Sequence, residues 1–408
     1  MKQTILTFTF LISIILNAQT FTSWTVDDGM PSNSCNDVSV DAAGNVWVAT
    51  SGGVGVFDGT SWLNYNDADG LVDNNVSSIL VASDGRVWMG TSFGISVLDG
   101  SSWTTYTEDD GIADDQIRCI NEDADGIIWF GTGNGASSFD GTTWTNLGSA
   151  EGLPFGGVND ILQDDNMLMN FATGLSGVAT QASNGAISLI DEDSGLVNER
   201  MTALALAPNG NLWAASSEGI NVLSGNTIVG QHTTLFILPP PDTLNPVEDV
   251  IFDLNGYVWS SVYVDYLVTV GGVSVYNGTS WEQFDVSDGL AGPVVRRLAV
   301  DQNNDVWVTT STGITRISGY APLSLNEISL QNLILYPNPT EGRFAIEIPS
   351  DIEEYNVQVY DGLGRLVLQE NIADHGIHEM SIGHLVKGTY FVTMTSENSI
   401  HQEVVILN

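Results

Sequence analysis

VSSILVASDGRVWMGTSFGISVLDGSSWTTYTEDDGI, residues 76–112, holds four short apolar runs separated by turn signals. VSSILV reads as one strand, and Ser83-Asp84-Gly85 turns it into RVWMGT. Phe93-Gly94 then leads into ISVLDG, and Asp99-Gly100 into SSWTTYT. Asp110-Gly111-Ile112 carries the chain onward. Short apolar runs bounded by turn residues mark β-strands, and the glycines supply the positive φ of tight hairpins. One such unit cannot bury both faces of its sheet, so it needs copies of itself as neighbours.

The copies are found by aligning on the phrase G-x-x-W. Trp47, Trp88 and Trp129 stand 41 residues apart, and Met169 takes the next place after 40. Trp213, Trp259 and Trp307 follow at 44, 46 and 48, which makes seven units. A period near 40 with four strands per unit predicts an all-β fold, a seven-bladed β-propeller. The seventh unit has VVRRLAVD, DVWVTTS and GITRIS but no fourth strand after Ser318. FTSWTVDDGM, residues 21–30, has the opposite fault: it is the end of a unit with only a leader before it. The two fragments predict one blade made from both ends of the repeat region. The N-terminal strand would then close the ring and remove a loose edge.

The leader has Lys2, an apolar run over Ile5–Leu16, and then Asn17-Ala18. That run is too short to span a bilayer, so it predicts an export signal cleaved after Ala18. No later run is long enough either, which predicts no transmembrane segment after cleavage. The expected organisation is a signal peptide at 1–18, the propeller at 19–320, a linker at 321–332 and a small C-terminal β-sandwich at 333–408.

Two stretches resemble known families. GLVDNNVSSILVASDGRVWMGTSFGIS is similar to the two-component regulator propeller repeat, and several copies keep D-G-L, G-x-x-W and the later Gly in register. In that family the repeats usually form the periplasmic sensor half of hybrid histidine kinases, but nothing here looks like a kinase. The tail resembles the type A sorting domain of the type IX secretion system. The resemblance rests on Tyr336, Pro337, Asn338, Pro339 and Gly342, on Asp361 and Gly364 in a D-x-x-G-R turn, and on Gly388 and Tyr390 in L-x-x-G-x-Y. It implies that 333–408 is an Ig-like sandwich read by the type IX machinery, and that the chain is exported to the cell surface or the medium. Independently, the alternation in FAIEI, VQVY and YFVTM predicts a small antiparallel sandwich.

The formal net charge is −40, with only ten Lys and Arg in 408 residues. Such a surface repels nucleic acid and anionic membranes, and it suits a soluble exported monomer or one that meets divalent cations. The 43% of apolar residues and eleven Trp exclude a disordered chain. Cys35 and Cys119 are too few for a disulfide scaffold and fall a whole blade apart, so both are expected as free thiols.

The Trp residues recur at fixed strand positions, as packing requires, rather than as a sugar-binding ring. The turn Asn121–Gly126 fits the first half of a calcium loop, but Thr132 stands where an EF-hand needs Glu. Acids precede the junction glycine at Asp28, Asp69, Asp110, Glu151 and Asp288, all on one face of a propeller. They read as loop caps or as a cation-bridged face. In the second reading Asp28, Asp69, Asp110 and Asp288 would hold metal, with Ca2+ as the possible cofactor. No nucleophile elbow, HExxH or ordered triad appears, so no catalytic residue is assigned. His232, the one His of the repeat region, reads as an ordinary strand or loop residue.

Symmetry breaks at the sixth unit. Its entry becomes ILPPPDTLNP (237–246), and its second-to-third strand segment is seven residues longer than its counterparts. Both connections belong to the face lined with acids. Pro240, Tyr263, Asp265 and Tyr266 are therefore the candidate ligand site, with residue types suited to a carbohydrate or peptide. The reading is an exported recognition protein. Its rivals are a secreted polysaccharide-degrading enzyme and a structural or adhesive surface protein.

Overall fold

The computed structural model describes residues 19–236, 245–265, 269–320, 335–348, 355–361, 365–372, 376–395 and 400–408. The signal peptide, the linker, Pro240, Tyr266 and Gly364 lie outside the described residues. The chain divides into two compact units, Met1–Tyr320 and Ala321–Asn408.

The first unit contains seven four-stranded antiparallel sheets among its described residues and no α-helix. The stretch that opened the sequence reading forms Ser78–Val81, Val87–Thr91, Gly94–Asp99 and Ser102–Tyr106, paired in that order. First strands of successive sheets lie side by side: Cys35–Val40, Ser78–Val81, Ile117–Glu122, Val158–Gln163, Met201–Leu206, Val247–Phe252 and Val295–Val300. The last of these lies against the first again, so the arrangement is propeller-like. Thr20–Trp24 pairs antiparallel with Gly313–Ser318, with Trp24 opposite Ile314 and Thr20 opposite Ser318.

Local chemistry explains the repeated letters. The Thr of each W-x-G-T-like phrase turns back on its own hairpin: Thr50, Thr91, Thr132 and Thr310 each donate Oγ1 to the carbonyl of the glycine three residues on, at 2.8–3.1 Å. Gly94 must be glycine. Its φ is +109°, and a Cβ there would meet the Tyr106 carbonyl of the fourth strand at 2.4 Å.

The acid of the D-x-x-G turn has a second use. Asp41, Asp123, Asp253 and Asp301 each accept backbone N–H groups two and four residues on. Each also accepts the Trp Nε1 six residues on, at 3.2, 2.8, 3.1 and 3.0 Å. One carboxylate thus closes the hairpin and satisfies a buried indole. This places Asp123 as the acceptor that closes its own turn.

The second sheet has Ala82 at that position, and the buried Trp88 Nε1 has no hydrogen-bond partner among the described residues. Ala82→Asp would restore the acceptor, with Arg86 beside it to favour the charge. The expected gain is about 1 kcal/mol, or a melting temperature higher by about 2–4 °C. A calorimetric scan that shows no rise, or a fall, would mean the indole is already satisfied by water.

Cys35 and Cys119 are both free and buried, on the first strands of the first and third sheets. Burial pushes the Cys35 thiol up to about 12 and that of Cys119 higher still. Thiol reagent should therefore react slowly with the folded protein and label two groups once it is denatured without reductant. Failure to label the denatured chain would refute free thiols.

In the second unit, Leu335–Tyr336, Arg343–Ile348 and Gly376–Ser381 form one sheet. Leu366–Ile372, Tyr355–Asp361, Gly388–Thr395 and Ile400–Leu407 form another. Phe344, Ile346, Val357, Val359, Val392 and Val405 share the core between them. The motif residues hold this unit together. Asn338 donates to the Val404 carbonyl at 2.6 Å and accepts from Ile406 N at 3.0 Å. The Gly342 carbonyl accepts from Ile382 N at 2.8 Å, Asp361 closes its turn on Arg365, and Tyr390 Oη donates to the Val386 carbonyl.

Candidate functional site

The site begins with one residue per sheet. At the start of the first strands, or one residue before it for Ser77, stand Asn36, Ser77, Arg118, Asn159, Thr202, Glu248 and Arg296, all at the same repeat register. All seven are polar, at a position flanked on its N-terminal side by the buried Cys35, Val76, Ile117, Val158, Met201, Val247 and Val295. Five reach the next sheet and donate to a main-chain carbonyl of its first strand or, for Asn36, of a residue two positions before it. Asn36 donates to Val76 O, Ser77 to Ile117 O, Asn159 to Met201 O and Thr202 to Val247 O, at 2.6–2.7 Å. Arg296 donates to Cys35 O at 3.0 Å and also contacts Asn36 Oδ1, spanning from the last sheet to the first. Arg118 reaches Asn159 Oδ1 at 3.0 Å and Gly156 O at 3.3 Å. Glu248 breaks the pattern, because an ionised carboxylate has no proton to donate.

One residue further along each first strand lies a second layer: Asp37, Ser78, Cys119, Asp160, Ala203, Asp249 and Arg297. Five of these seven strands carry a bulge or register shift at this point, just before or at these residues. The seventh, between Val295 and Leu298, is shifted there as well. A bulge re-aims side chains at a rim. Here it lets carboxylates cap the neighbouring sheet. Asp37 accepts from Ile79 N at 2.9 Å and Ser78 Oγ at 2.8 Å. Asp160 accepts from Leu204 N and Asp249 from Leu298 N, both at 2.8 Å. Arg297 lies among the three, with Nη1 3.2 Å from Asp249 Oδ1. Burial pushes the carboxyls of Asp37, Asp160 and Asp249 up, that of Asp249 to about 7, and the Arg297 charge only partly offsets this.

Above this layer two adjoining cavities of about 350 and 710 Å³ open at the face that carries the sheet-to-sheet junctions. They share Ser77, Arg118, Glu248 and Arg297 in their walls. Apart from Ile117, Pro246 and Tyr263, every lining side chain is polar or charged. Burial raises the Glu248 carboxyl, against the lowering pull of Arg297, Arg200 and Arg296.

The long hairpin of the sixth sheet, Val258–Asp265 and Thr269–Tyr276, contributes Tyr263 to the smaller cavity. Asp265 ends the first of these strands, opposite Thr269. The residues flanking the departing junction are pinned by buried Asn245, whose Oδ1 accepts from Leu235 N and Phe236 N at 2.7 and 2.6 Å.

The junction acids are not brought together on a cation. Asp28, Asp69, Asp110 and Asp288 each accept the backbone N–H three residues back in their own turn, at 2.9 Å. Among the described residues no group of three or more His, Cys, Asp or Glu is placed to hold a metal ion. Each of these four carboxylates thus has a contact within its own turn. The carboxylates are consumed in closing turns whose glycine has a positive φ; Gly70 also packs against Trp103, which leaves a Cβ no room. His232 stacks on Trp213 and accepts from Trp281 Nε1 at 3.3 Å, and burial lowers its pKa.

Sequence reasoning missed the polar ring. Its signal was present: four of the ten Lys and Arg in the chain, Arg118, Arg200, Arg296 and Arg297, fall at or near the start of first strands.

Comparison with known proteins bears on both units. Residues 334–408 match the secretion system C-terminal sorting domain, and residues 70–93 and 111–134 match the two component regulator propeller. The sorting domain directs export across the outer membrane to the cell surface or the extracellular space, through the type IX secretion machinery. Ulvan lyase NLR42 from Nonlabens ulvanivorans is 28% identical over 137 residues, 31% of this chain and 25% of that protein. Two solved structures resemble the fold. The extracellular domain assigned to the hybrid two component system BT3049 from B. thetaiotaomicron has a TM-score of 0.62 at 17% identity, covering 94% of this chain and 57% of that one. PorZ, a surface component of the type-IX secretion system of Porphyromonas gingivalis, has a TM-score of 0.60 at 18% identity, covering 93% and 60%. The chain thus spans less than two thirds of the length of each of these proteins, and at these identities the structures speak for fold alone.

Proposed function

We propose that this chain is an exported surface recognition protein. In this reading it is a seven-bladed propeller, closed by its N-terminal strand, that binds a hydroxyl-rich carbohydrate at the mouth of its central channel. The observation that carries the reading is the cavity wall. Ser, Thr, Asn, Gln and Arg side chains converge from several sheets, with Tyr263 at one side as a ring platform. Sugars need many directional donors and acceptors and one apolar face, whereas a peptide needs apolar pockets for its side chains. Among the described residues the wall is almost wholly polar, which favours carbohydrate over peptide. The resemblance to a sensor ectodomain and to a secretion-system surface component is consistent with an outward-facing role.

The test is a glycan array probed with the full chain and with Tyr263→Ala, with product analysis of each glycan after incubation. Binding of a subset of glycans, weakened about fivefold or more in the variant, is the expected result. No bound glycan at all would sink the recognition reading, and shortened glycans would move the protein to the class of degrading enzymes.

A further inference from the structure

Resting on that reading, we propose that the carbohydrate taken at the channel mouth is anionic, with a carboxylate or sulfate group seated against Arg200 and Arg118.

The charge distribution is the first reason. In a chain of net charge −40, four of ten cationic side chains line these adjoining cavities, and Glu248 is the only acid among the described residues of their walls. The four are not equivalent. Arg297 sits among Asp37, Asp160 and Asp249, and its charge is taken up there. Arg118 and Arg296 each commit Nη1 to neighbouring sheets, but a guanidinium carries five donors in a fork, so each keeps donors for a ligand. Arg200 is exposed and its side chain makes no hydrogen bond or ion pair among the described residues, although its charge acts on Glu248 in the same wall. Structural stapling therefore accounts for three of the arginines and not for Arg200.

The surroundings are the second reason. The junction turns around this mouth carry acids that repel any anion at a distance. A cationic centre within an acidic surface admits an anion only where guanidinium forks meet it at close range. That arrangement selects a charged group presented on a neutral, slender scaffold, such as a sugar ring, over a densely charged polymer.

A third feature fits the ring itself. Phe155 is 82% exposed, although it precedes Gly156, whose carbonyl Arg118 holds. An exposed aromatic one residue from a cavity-wall contact offers a face to the apolar side of a pyranose while the oxyanion meets the arginines.

The experiment measures binding of the full chain by calorimetry to neutral oligosaccharides that bear a single galacturonate unit, to their carboxyl-reduced neutral counterparts, and to oligosaccharides of equal length that bear a single sulfate. Wild type is compared with Arg200→Gln and Phe155→Ala, neither of which removes a contact between sheets. The expected result is binding of at least one anionic series, at least about tenfold tighter than of the neutral one. Arg200→Gln should cost about tenfold for the anionic series and little for the neutral, and affinity should fall as salt rises from 50 to 500 mM, roughly as exposed charges are screened. Preference for carboxylate or for sulfate identifies which oxyanion the site takes. Equal affinity for anionic and neutral sugars would overturn the proposal while leaving carbohydrate recognition standing. So would unchanged binding by Arg200→Gln, or no binding of either anionic series by wild type.

Discussion

Arg297→Met is expected to destabilise the first unit by about 2–4 kcal/mol at pH 8, and by less than half of that at pH 5. Arg297 is the one cation among Asp37, Asp160 and Asp249, and removing it leaves carboxylates in a poorly solvated layer. The lower end of the usual range for a broken buried pair applies because Arg297 and Asp37 are only partly buried. The pH dependence has a definite sign. These carboxyls have folded pKa values raised above their unfolded value near 3.8, to about 7 for Asp249. Their contribution is therefore fully present when both states are protonated, below about pH 4, and is lost as pH rises through the folded pKa. Wild type should itself melt higher at pH 5 than at pH 8. Without Arg297 the folded pKa values climb further, so the deficit of the variant grows above pH 7. The turn carboxylates act the other way, but only in stronger acid, since Asp58 is lowered to about 2. Thermal scans of both proteins from pH 5 to 8 decide the matter. A deficit that does not change with pH would mean the arginine acts through packing alone.

Removing residues 19–24 is expected to have the larger effect: a melting temperature lower by more than about 10 °C, with concentration-dependent aggregation. Thr20–Trp24 is the fourth strand beside Gly313–Ser318, and its loss bares that edge. The strand is also a packing element. The Trp24 ring stacks on Trp307 at 5.2 Å and meets Phe57 at 4.9 Å, joining the last sheet to the first. Ser23 Oγ adds contacts to Thr315 Oγ1 at 2.8 Å and Gly289 O at 3.1 Å. Trp24→Ala alone should cost about 2–4 kcal/mol, since the side chain is half-buried. A truncated protein that stays monomeric and melts at the wild-type temperature would rule out ring closure through this strand.

Much of the fold was legible because its determinants are local and repeated. Four strands per unit, the hairpin glycines and the Trp anchors each lie within about ten residues of their partners, and every copy reinforces the reading. The orphan FTSW phrase and the incomplete seventh unit were legible for the same reason: a periodic pattern makes a missing piece visible. The reading of the sorting motif succeeded because Asn338, Gly342, Asp361 and Tyr390 each serve a tight turn or a specific strand contact that few residue types can satisfy.

The site was not legible in the same way. Tyr263 was singled out because its hairpin is long, and it lines a cavity, yet Arg118, Arg200 and Arg296 in the same walls were passed over. The junction acids were legible as a periodic feature, but their role was not. That Asp69 accepts from Asn66 N at 2.9 Å depends on turn geometry, which a periodic pattern of acids does not reveal.

By itself, the sequence determined the strand pattern, the turn chemistry and the presence of a sorting tail, all of which follow from side-chain period and backbone conformation over short spans. Only the tertiary structure decided what the seven first strands do together. Asn36, Ser77, Arg118, Asn159, Thr202, Glu248 and Arg296 lie about 40 residues apart and are individually unremarked. They become one polar wall because first strands lying side by side bring the same register of each together, where no residue has meaning without the six from the other sheets.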